Sequence, residues 1–164
     1  MTTALLISPD AVTRAQLTQV SAEVDAVLVV SREITELNDR RVECHDLDLA
    51  QIRDQGRLCD LIRQRGPLLE CHVFLEQSDE ASASNKVEAD VRQVQSDITG
   101  PLMALRACLA GMQTQSYGGI FLHVPNDQSV LSTAIAGFWQ GWAQQQSQRL
   151  SASGFVNVTI TTLP

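Results

Sequence analysis

The chain has 164 residues, 44% of them hydrophobic, which is enough for one domain with a substantial core. Its 19 acidic and 12 basic residues give a formal charge of −7, and the scattered basic residues exclude nucleic acid and anionic membranes as expected partners. The apolar run at 4–7 is too short for a signal peptide and lacks a basic lead-in, and no run approaches the length of a membrane span. We therefore expect a single cytoplasmic domain over residues 1–164.

Strand-like and helix-like segments alternate along the chain. Continuous β-branched runs, typical of strands covered on both faces, and one alternating run predict six strands, at 4–7, 26–30, 41–44, 71–75, 120–124 and 155–160. Apolar periodicity and end signals predict four helices, at 10–23, 49–65, 87–112 and 129–150. Pro101 is expected to kink the third helix, and the polar segment 77–86 is expected to be a loop. The order predicts an α/β fold, a Rossmann-like, doubly wound, mainly parallel sheet of about six strands with helices on both faces.

The turn after the first strand is where an α/β protein usually binds a nucleotide's phosphates. A dinucleotide site needs glycine there, and the first glycine of this chain is Gly56. Pro9 has no N–H to donate, and Asp10 is expected to occupy the helix N-terminus with a negative charge. The sequence therefore predicts that no pyrophosphate binds there in the usual manner, and it contains no Walker-type motif elsewhere.

The cysteines are expected to be buried free thiols. No Cys-x-x-Cys occurs among the four, which are Cys44, Cys59, Cys71 and Cys108. Two of them precede histidines, His45 and His72, but neighbouring residues of a strand point to opposite faces, so neither pair offers two ligands to one zinc ion. We expect no metal site.

Four segments resemble the short-chain dehydrogenase/reductase family. Residues 97–102 resemble its Asn-Leu-x-Gly helix segment, 119–124 its fifth strand, 136–143 its fifth helix and 154–160 its sixth strand. In order of elements the resemblance covers nearly the whole chain. It implies a Rossmann fold, and the family continues beyond the position of Pro164 into a substrate-covering segment, which implies a degenerate, C-terminally truncated member.

The resemblance also implies which catalytic residues are replaced. The family transfers hydride with a tyrosine whose pKa is lowered by a lysine four residues later. Here Tyr117 is followed at that spacing by Phe121, and Lys86 lies elsewhere. Alignment of the fifth helix puts Ser132 and Ala136 at the tyrosine and lysine positions, and neither can do that work. We assign no catalytic residue.

Two side chains could belong to a residual cofactor site. Arg32 follows the second strand, where family members that prefer NADP often have arginine, and Asp46 follows the third, where an acid contacts adenine. The alternatives are a solvated arginine and a helix-capping aspartate. We expect no cofactor, or NADP if one binds.

The last helix is a candidate interface. Gly137 and Gly141 lie one turn apart, so another helix could approach closely, and Phe138 and Trp142 offer large apolar anchors beside them. In the resembled family the fourth and fifth helices build the dimer interface. By that analogy the candidate interface residues are Leu105, Leu109, Gly137, Phe138, Gly141 and Trp142. The alternative is that they belong to the core of their own domain.

Two functions follow from these observations. The first is a catalytically inactive relative of the short-chain dehydrogenases that acts through association, as a homodimer or with a similar protein. The second is an atypical NADP-dependent oxidoreductase that uses Arg32 and Asp46. A serine nucleophile site lacks its Gly-x-Ser-x-Gly motif, and a phosphoacceptor receiver domain lacks the lysine expected before Pro125.

Overall fold

Six parallel strands form one sheet at the centre of the protein. The computed structural model describes residues 2–33, 37, 39–76, 86–127, 129–150 and 156–163. The strand order is β3-β2-β1-β4-β5-β6, and every neighbouring pair is parallel. The strands are β1 (Thr3–Ile7), β2 (Ala26–Ser31), β3 (Val42–Asp46), β4 (Glu70–Phe74), β5 (Gly118–Pro125) and β6 (Val156–Leu163). The doubly wound, Rossmann-like prediction is confirmed.

Five α-helices connect these strands in the described part of the chain. They are α1 (Arg14–Leu17), α2 (Ile52–Arg65), α3 (Lys86–Val94), α4 (Gly100–Gln115) and α5 (Val130–Leu150). A π-helical segment, Gln95–Thr99, lies between α3 and α4, so the helix predicted at 87–112 is part of a continuous helical stretch whose irregular turn precedes Pro101. The loop predicted at 77–86 lies, apart from Lys86, outside the described residues, as do residues 151–155 before β6.

The helix predicted at 10–23 is much shorter than expected. Thr13 caps its N-terminus: the Thr13 side chain accepts the N–H of Gln16, and the Gln16 side chain accepts the N–H of Thr13. This reciprocal pair fixes the first helical residue at Arg14, so the prediction that Asp10 occupies the helix N-terminus is wrong. The N–H of Ser21 donates to the Glu70 carboxylate at 3.0 Å, which ties the chain after α1 to β4.

The sheet is buried unequally on its two faces. The larger core cluster lies between one face and α2, α4 and α5, and includes Leu28, Leu105 and Trp139. The smaller cluster on the other face packs strand residues such as Leu6 and Val29 against the chain around α1. Among the described helices, none has both the length and the hydropathy that crossing a bilayer requires.

Two of the strand histidines are packed side chains. His72 of β4 and His123 of β5 are almost fully buried and form a stacked layer with Phe74 and Phe121. Nδ1 of His72 lies 3.1 Å from Nε2 of His123. Burial lowers the pKa of His72, and burial together with the neighbouring His72 lowers that of His123 to about 4. Both rings are therefore neutral at physiological pH.

Substitution of Gly100 should destabilise the protein. A Cβ at Gly100 would lie 2.7 Å from Cβ of Leu49 and 2.9 Å from its carbonyl oxygen, so the start of α4 depends on this close approach. We expect Gly100→Ala to lower the free energy of unfolding by about 1–3 kcal/mol, the usual cost of overpacking. Gly56→Ala is the control, since a Cβ there meets nothing within 4 Å and alanine should raise helix stability by about 0.5–1 kcal/mol. Equilibrium urea unfolding measures both, and equal effects would contradict this account.

Candidate functional site

The candidate site lies at the carboxyl edge of the sheet, where the strand order reverses between β1 and β4. Ligands of doubly wound sheets bind in the crevice at this switch point. Three segments meet there: residues 8–10 after β1, Arg32 after β2, and Glu76 shortly after β4. The fold thus positions the predicted residue Arg32 where a ligand would bind.

Arg32 is held by two carboxylates. Its Nη2 lies 2.9 Å from Oδ1 of Asp10 and 3.0 Å from Oε1 of Glu76, and its Nε donates to the carbonyl oxygen of Pro9 at 2.6 Å. We call Arg32, Asp10 and Glu76 the Arg32 cluster. Burial disfavours the charged guanidinium, but the charges and hydrogen bonds of Glu76 and Asp10 outweigh it and raise the pKa of Arg32. Arg32 is therefore charged and held by salt bridges within the protein, and it is not a solvated surface side chain.

One small cavity lies beside this cluster. It is lined by Ser8, Arg32, Asp48 and Ser96 and has a volume of about 10 Å³. A volume near 10–15 Å³ is about what one water molecule needs. This cavity is therefore large enough for about one water molecule.

A buried acid lies behind the cluster. Asp97, in the π-helical segment, is 1% exposed, and its Oδ1 accepts the backbone N–H of Glu76 at 3.1 Å. The hydroxyl of Ser96 lies 3.2 Å from both this oxygen and Oε2 of Glu76. Burial, reinforced by the charge of Glu76, raises the pKa of Asp97 to about 7, although hydrogen bonds from Glu76, Ser96 and Gln93 oppose the shift. Asp97 is therefore a carboxyl group that can gain or lose a proton near neutral pH.

Asp46 does not join Arg32 in the cavity. It ends β3 and is exposed, whereas Leu47 and Asp48 line the cavity beside Arg32. Asp48 instead accepts the N–H of Ala50 at 3.1 Å and pairs with Arg92 at 2.8 Å. Of the two predicted cofactor residues, only Arg32 lies at the switch point.

The residues at the family's catalytic positions have other contacts. Ser132 is buried, and its hydroxyl donates to Oδ2 of Asp127 at 2.7 Å. Ala136 is half-buried on the same helix, α5. Tyr117, the one tyrosine of the chain, directly precedes β5 and thus lies at the amino edge, opposite the crevice. No tyrosine and lysine pair is available at the carboxyl edge.

The predicted interface residues divide into two groups. Leu105 and Leu109 are buried in the protein's own core, so the prediction that they form an interface is wrong: their apolar periodicity reflects packing against the sheet. Gly137, Phe138 and Gly141 are exposed on α5. Trp142 is half-buried and lies edge-on to the indole of Trp139, with ring centroids 5.4 Å apart.

The sequence alone did not identify Glu76 and Asp97 as site residues. Glu76 begins a polar segment after the fourth strand, and Asp97 lies in an amphipathic helical pattern. The available signal was where the two residues lie relative to the strands. Glu76 follows β4 and Arg32 follows β2, and these strands are the two neighbours of β1 in the sheet. Carboxyl ends of parallel strands share one edge, so a salt bridge between them could have been inferred.

Asp97→Asn should make the protein more stable at alkaline pH. The folded pKa of about 7 exceeds the ordinary value of 3.8, so between these values the folded state holds a proton that the unfolded state has released. The contribution of Asp97 to the free energy of unfolding is therefore greatest below about pH 4 and falls as the pH rises. Above pH 7 it is lower by up to about 4 kcal/mol.

Asparagine stays neutral and can accept the same N–H of Glu76. Its stabilising effect over wild type should therefore be larger at pH 8 than at pH 5 in urea unfolding. Asp60→Asn, on the exposed side of α2, controls for the change in net charge. A stabilisation by Asp97→Asn that is independent of pH would contradict the assignment.

Comparison with known proteins gives a uniform result for the fold. No protein-family model and no curated protein matches this sequence. A short-chain dehydrogenase from Streptomyces avermitilis is similar in structure, with a TM-score of 0.74 at 15% identity over 97% of this chain. The chain spans 64% of the length of that protein.

Two further solved structures agree. The bulky-bulky ketone specific alcohol dehydrogenase from Comamonas testosteroni has a TM-score of 0.78 at 16% identity, over 100% of this chain and 76% of its own. A metagenomic short-chain oxidoreductase in complex with NADP has a TM-score of 0.64 at 14% identity, over 85% of this chain and 70% of its own. At such identities the similarity concerns the fold, and it confirms the fold that the sequence resemblance implies. This chain has the fold of the short-chain dehydrogenases/reductases.

Proposed function

We propose that the protein is a relative of the short-chain dehydrogenases that acts by association, as a homodimer or with a similar subunit, and does not transfer hydride. The observation that carries the proposal is the low charge of α4 and α5. Each of these helices contains a single charged residue, Arg106 in α4 and Arg149 in α5. By contrast, six of the 14 residues of α2 are charged. Depletion of charge is the compositional mark of interface cores.

The shape of α5 also favours a close partner. Gly137 and Gly141 are exposed one turn apart, and a Cβ at either position would meet nothing within 4 Å. Phe138 beside them is 37% exposed. Glycines let a second helix approach the backbone, and the aromatic ring supplies apolar area to bury. The same stretch on a second copy would make a symmetric contact, in which each surface serves as its own complement.

The contacts of the site support the absence of hydride transfer. Ser132 stands at the tyrosine position of the resembled family and donates its hydroxyl to Asp127, and Ala136 stands at the lysine position with no ionisable group. Arg32, which could hold a cofactor phosphate, is paired with Asp10 and Glu76. The cytoplasm is the proposed location, since the four cysteines are free thiols, which persist in reducing compartments.

Titration with NADPH and NADH tests the catalytic part of the proposal. We expect no saturable change in cofactor fluorescence, because Arg32 is already neutralised by Asp10 and Glu76. Saturable binding of NADPH that Arg32→Gln removes would contradict the proposal. It would favour the second candidate, an NADP-dependent oxidoreductase. The position of Arg32 and the structural neighbour in complex with NADP support that candidate.

The mass in solution tests the association. For the homodimer we expect twice the 17.9 kDa of one chain by light scattering. Gly141→Glu should reduce it to one chain, because it places bulk and charge on the proposed interface without a clash among the described residues of the protomer. Gly56→Glu is the matched control: it is also an exposed helical glycine with open space, but on the charged helix α2, and should leave the mass unchanged. Equal masses for the two variants would contradict an interface on α5.

A further inference from the structure

We infer that the Arg32 cluster is a self-occupied anion site: Asp10 and Glu76 take the place on Arg32 that a phosphate monoester would otherwise bind. This inference rests on the proposed function, because it gives a physical reason for the proposed lack of cofactor binding. The two carboxylates come from different loops, after β1 and after β4, and both reach the same Nη2 of Arg32, at 2.9 and 3.0 Å. The two carboxylates thus contact Arg32 at the atom that a ligand in the crevice would contact.

The charges are equivalent. Two carboxylates carry two negative charges, and a phosphate monoester near neutral pH carries about −1.5 to −2. Arginine binds carboxylate and phosphate oxygens with the same donor geometry. Removal of both carboxylates therefore leaves Arg32 with an unsatisfied charge that a phosphate monoester can neutralise.

Other donors already face the same position. The hydroxyl of Ser96 lies 3.2 Å from Oε2 of Glu76, and Ser8 lines the same small cavity. Without the Glu76 carboxylate the Ser96 hydroxyl is available to a phosphate oxygen. The backbone of Glu76 has its own anchor, since its N–H donates to Asp97 at 3.1 Å, so shortening the side chain need not displace the loop.

The built-in anions have an advantage over a dissolved one. They are tethered to the chain, so their effective concentration at Arg32 is far above that of a free ligand. The side chains of Arg32 and Glu76 are 21% and 24% exposed, which limits screening of this pair by solvent and salt, whereas the side chain of Asp10 is 68% exposed. A free phosphate monoester must therefore displace two attached carboxylates, and in the wild-type chain it does not.

The experiment is isothermal titration of Asp10→Ala/Glu76→Ala with adenosine 2′-monophosphate, and with adenosine as the uncharged comparison. We expect the double variant to bind the nucleotide at least roughly tenfold more tightly than the wild-type chain does, because the two carboxylates that pair with Arg32 are gone. It should not bind adenosine. Adding Arg32→Gln should abolish the gain.

Asp60→Ala/Glu43→Ala is the matched control. It removes two carboxylates that pair with arginines elsewhere, Arg63 and Arg65, and so changes the net charge equally without touching the crevice. Thermal unfolding checks that each variant is folded. If the alanine variant is not folded, the same titration is made with Asp10→Asn/Glu76→Gln.

Three results would overturn the inference: no gain in the double variant, an equal gain in the control, or a gain that survives Arg32→Gln. Any of these would leave the proposed function standing, as long as the wild-type chain does not bind NADPH. Binding of NADPH by the wild-type chain would instead contradict the proposed function directly.

Discussion

Burial of one face of the parallel sheet beneath α2, α4 and α5 is the constraint on which the rest of the structure depends. The strands beneath these helices contribute alternate residues to this larger core, and each of the three helices contributes one side. Because α4 and α5 use their inner sides for the sheet, only their outer sides remain for other contacts. The same packing brings the carboxyl ends of β1, β2 and β4 together at one edge, which creates the crevice and assembles the Arg32 cluster there.

The crevice and the outer surface of α5 are physically connected through Trp139. This indole is fully buried, and its Nε1 donates to the carbonyl oxygen of Asp97 at 2.8 Å. Asp97 in turn accepts the N–H of Glu76, a member of the Arg32 cluster. On the other side, Trp139 is in edge contact with Phe138 and Trp142. A continuous set of contacts thus runs from the carboxyl edge to the proposed interface.

Most of the fold could be predicted from the sequence because strands in a parallel sheet carry a strong local signal. The run at 26–30 is apolar without alternation, and β2 is indeed buried along nearly its whole length. The first helix was mispredicted for an equally local reason. Asp10 and Thr13 are both good N-caps, but only Thr13 has a glutamine three residues later that returns the hydrogen bond.

The site was harder to predict because its contacts are distant in sequence. The pair formed by Arg32 and Glu76 joins residues 44 positions apart, and no pattern within one element indicates it. The assignment of Leu105 and Leu109 failed for another reason. Periodicity shows that a helix has an apolar side, but it does not show whether that side covers the protein's own sheet or a partner.

The composition of α5 is the remaining argument for a partner. A helix with one apolar side normally carries charged and polar residues on the other. In α5 the buried residues Ile135, Trp139 and Ala143 form the inner side. The outer side is polar but has little charge: Gly137, Phe138 and Gly141 are exposed there together with glutamines such as Gln140 and Gln144. Glycine in the middle of a helix costs about 0.5–1 kcal/mol relative to alanine, and no described residue requires glycine at position 137 or 141. Gly56 has the same open surroundings in α2, so the feature that favours a second helix on α5 is the pair of glycines one turn apart beside the exposed ring of Phe138.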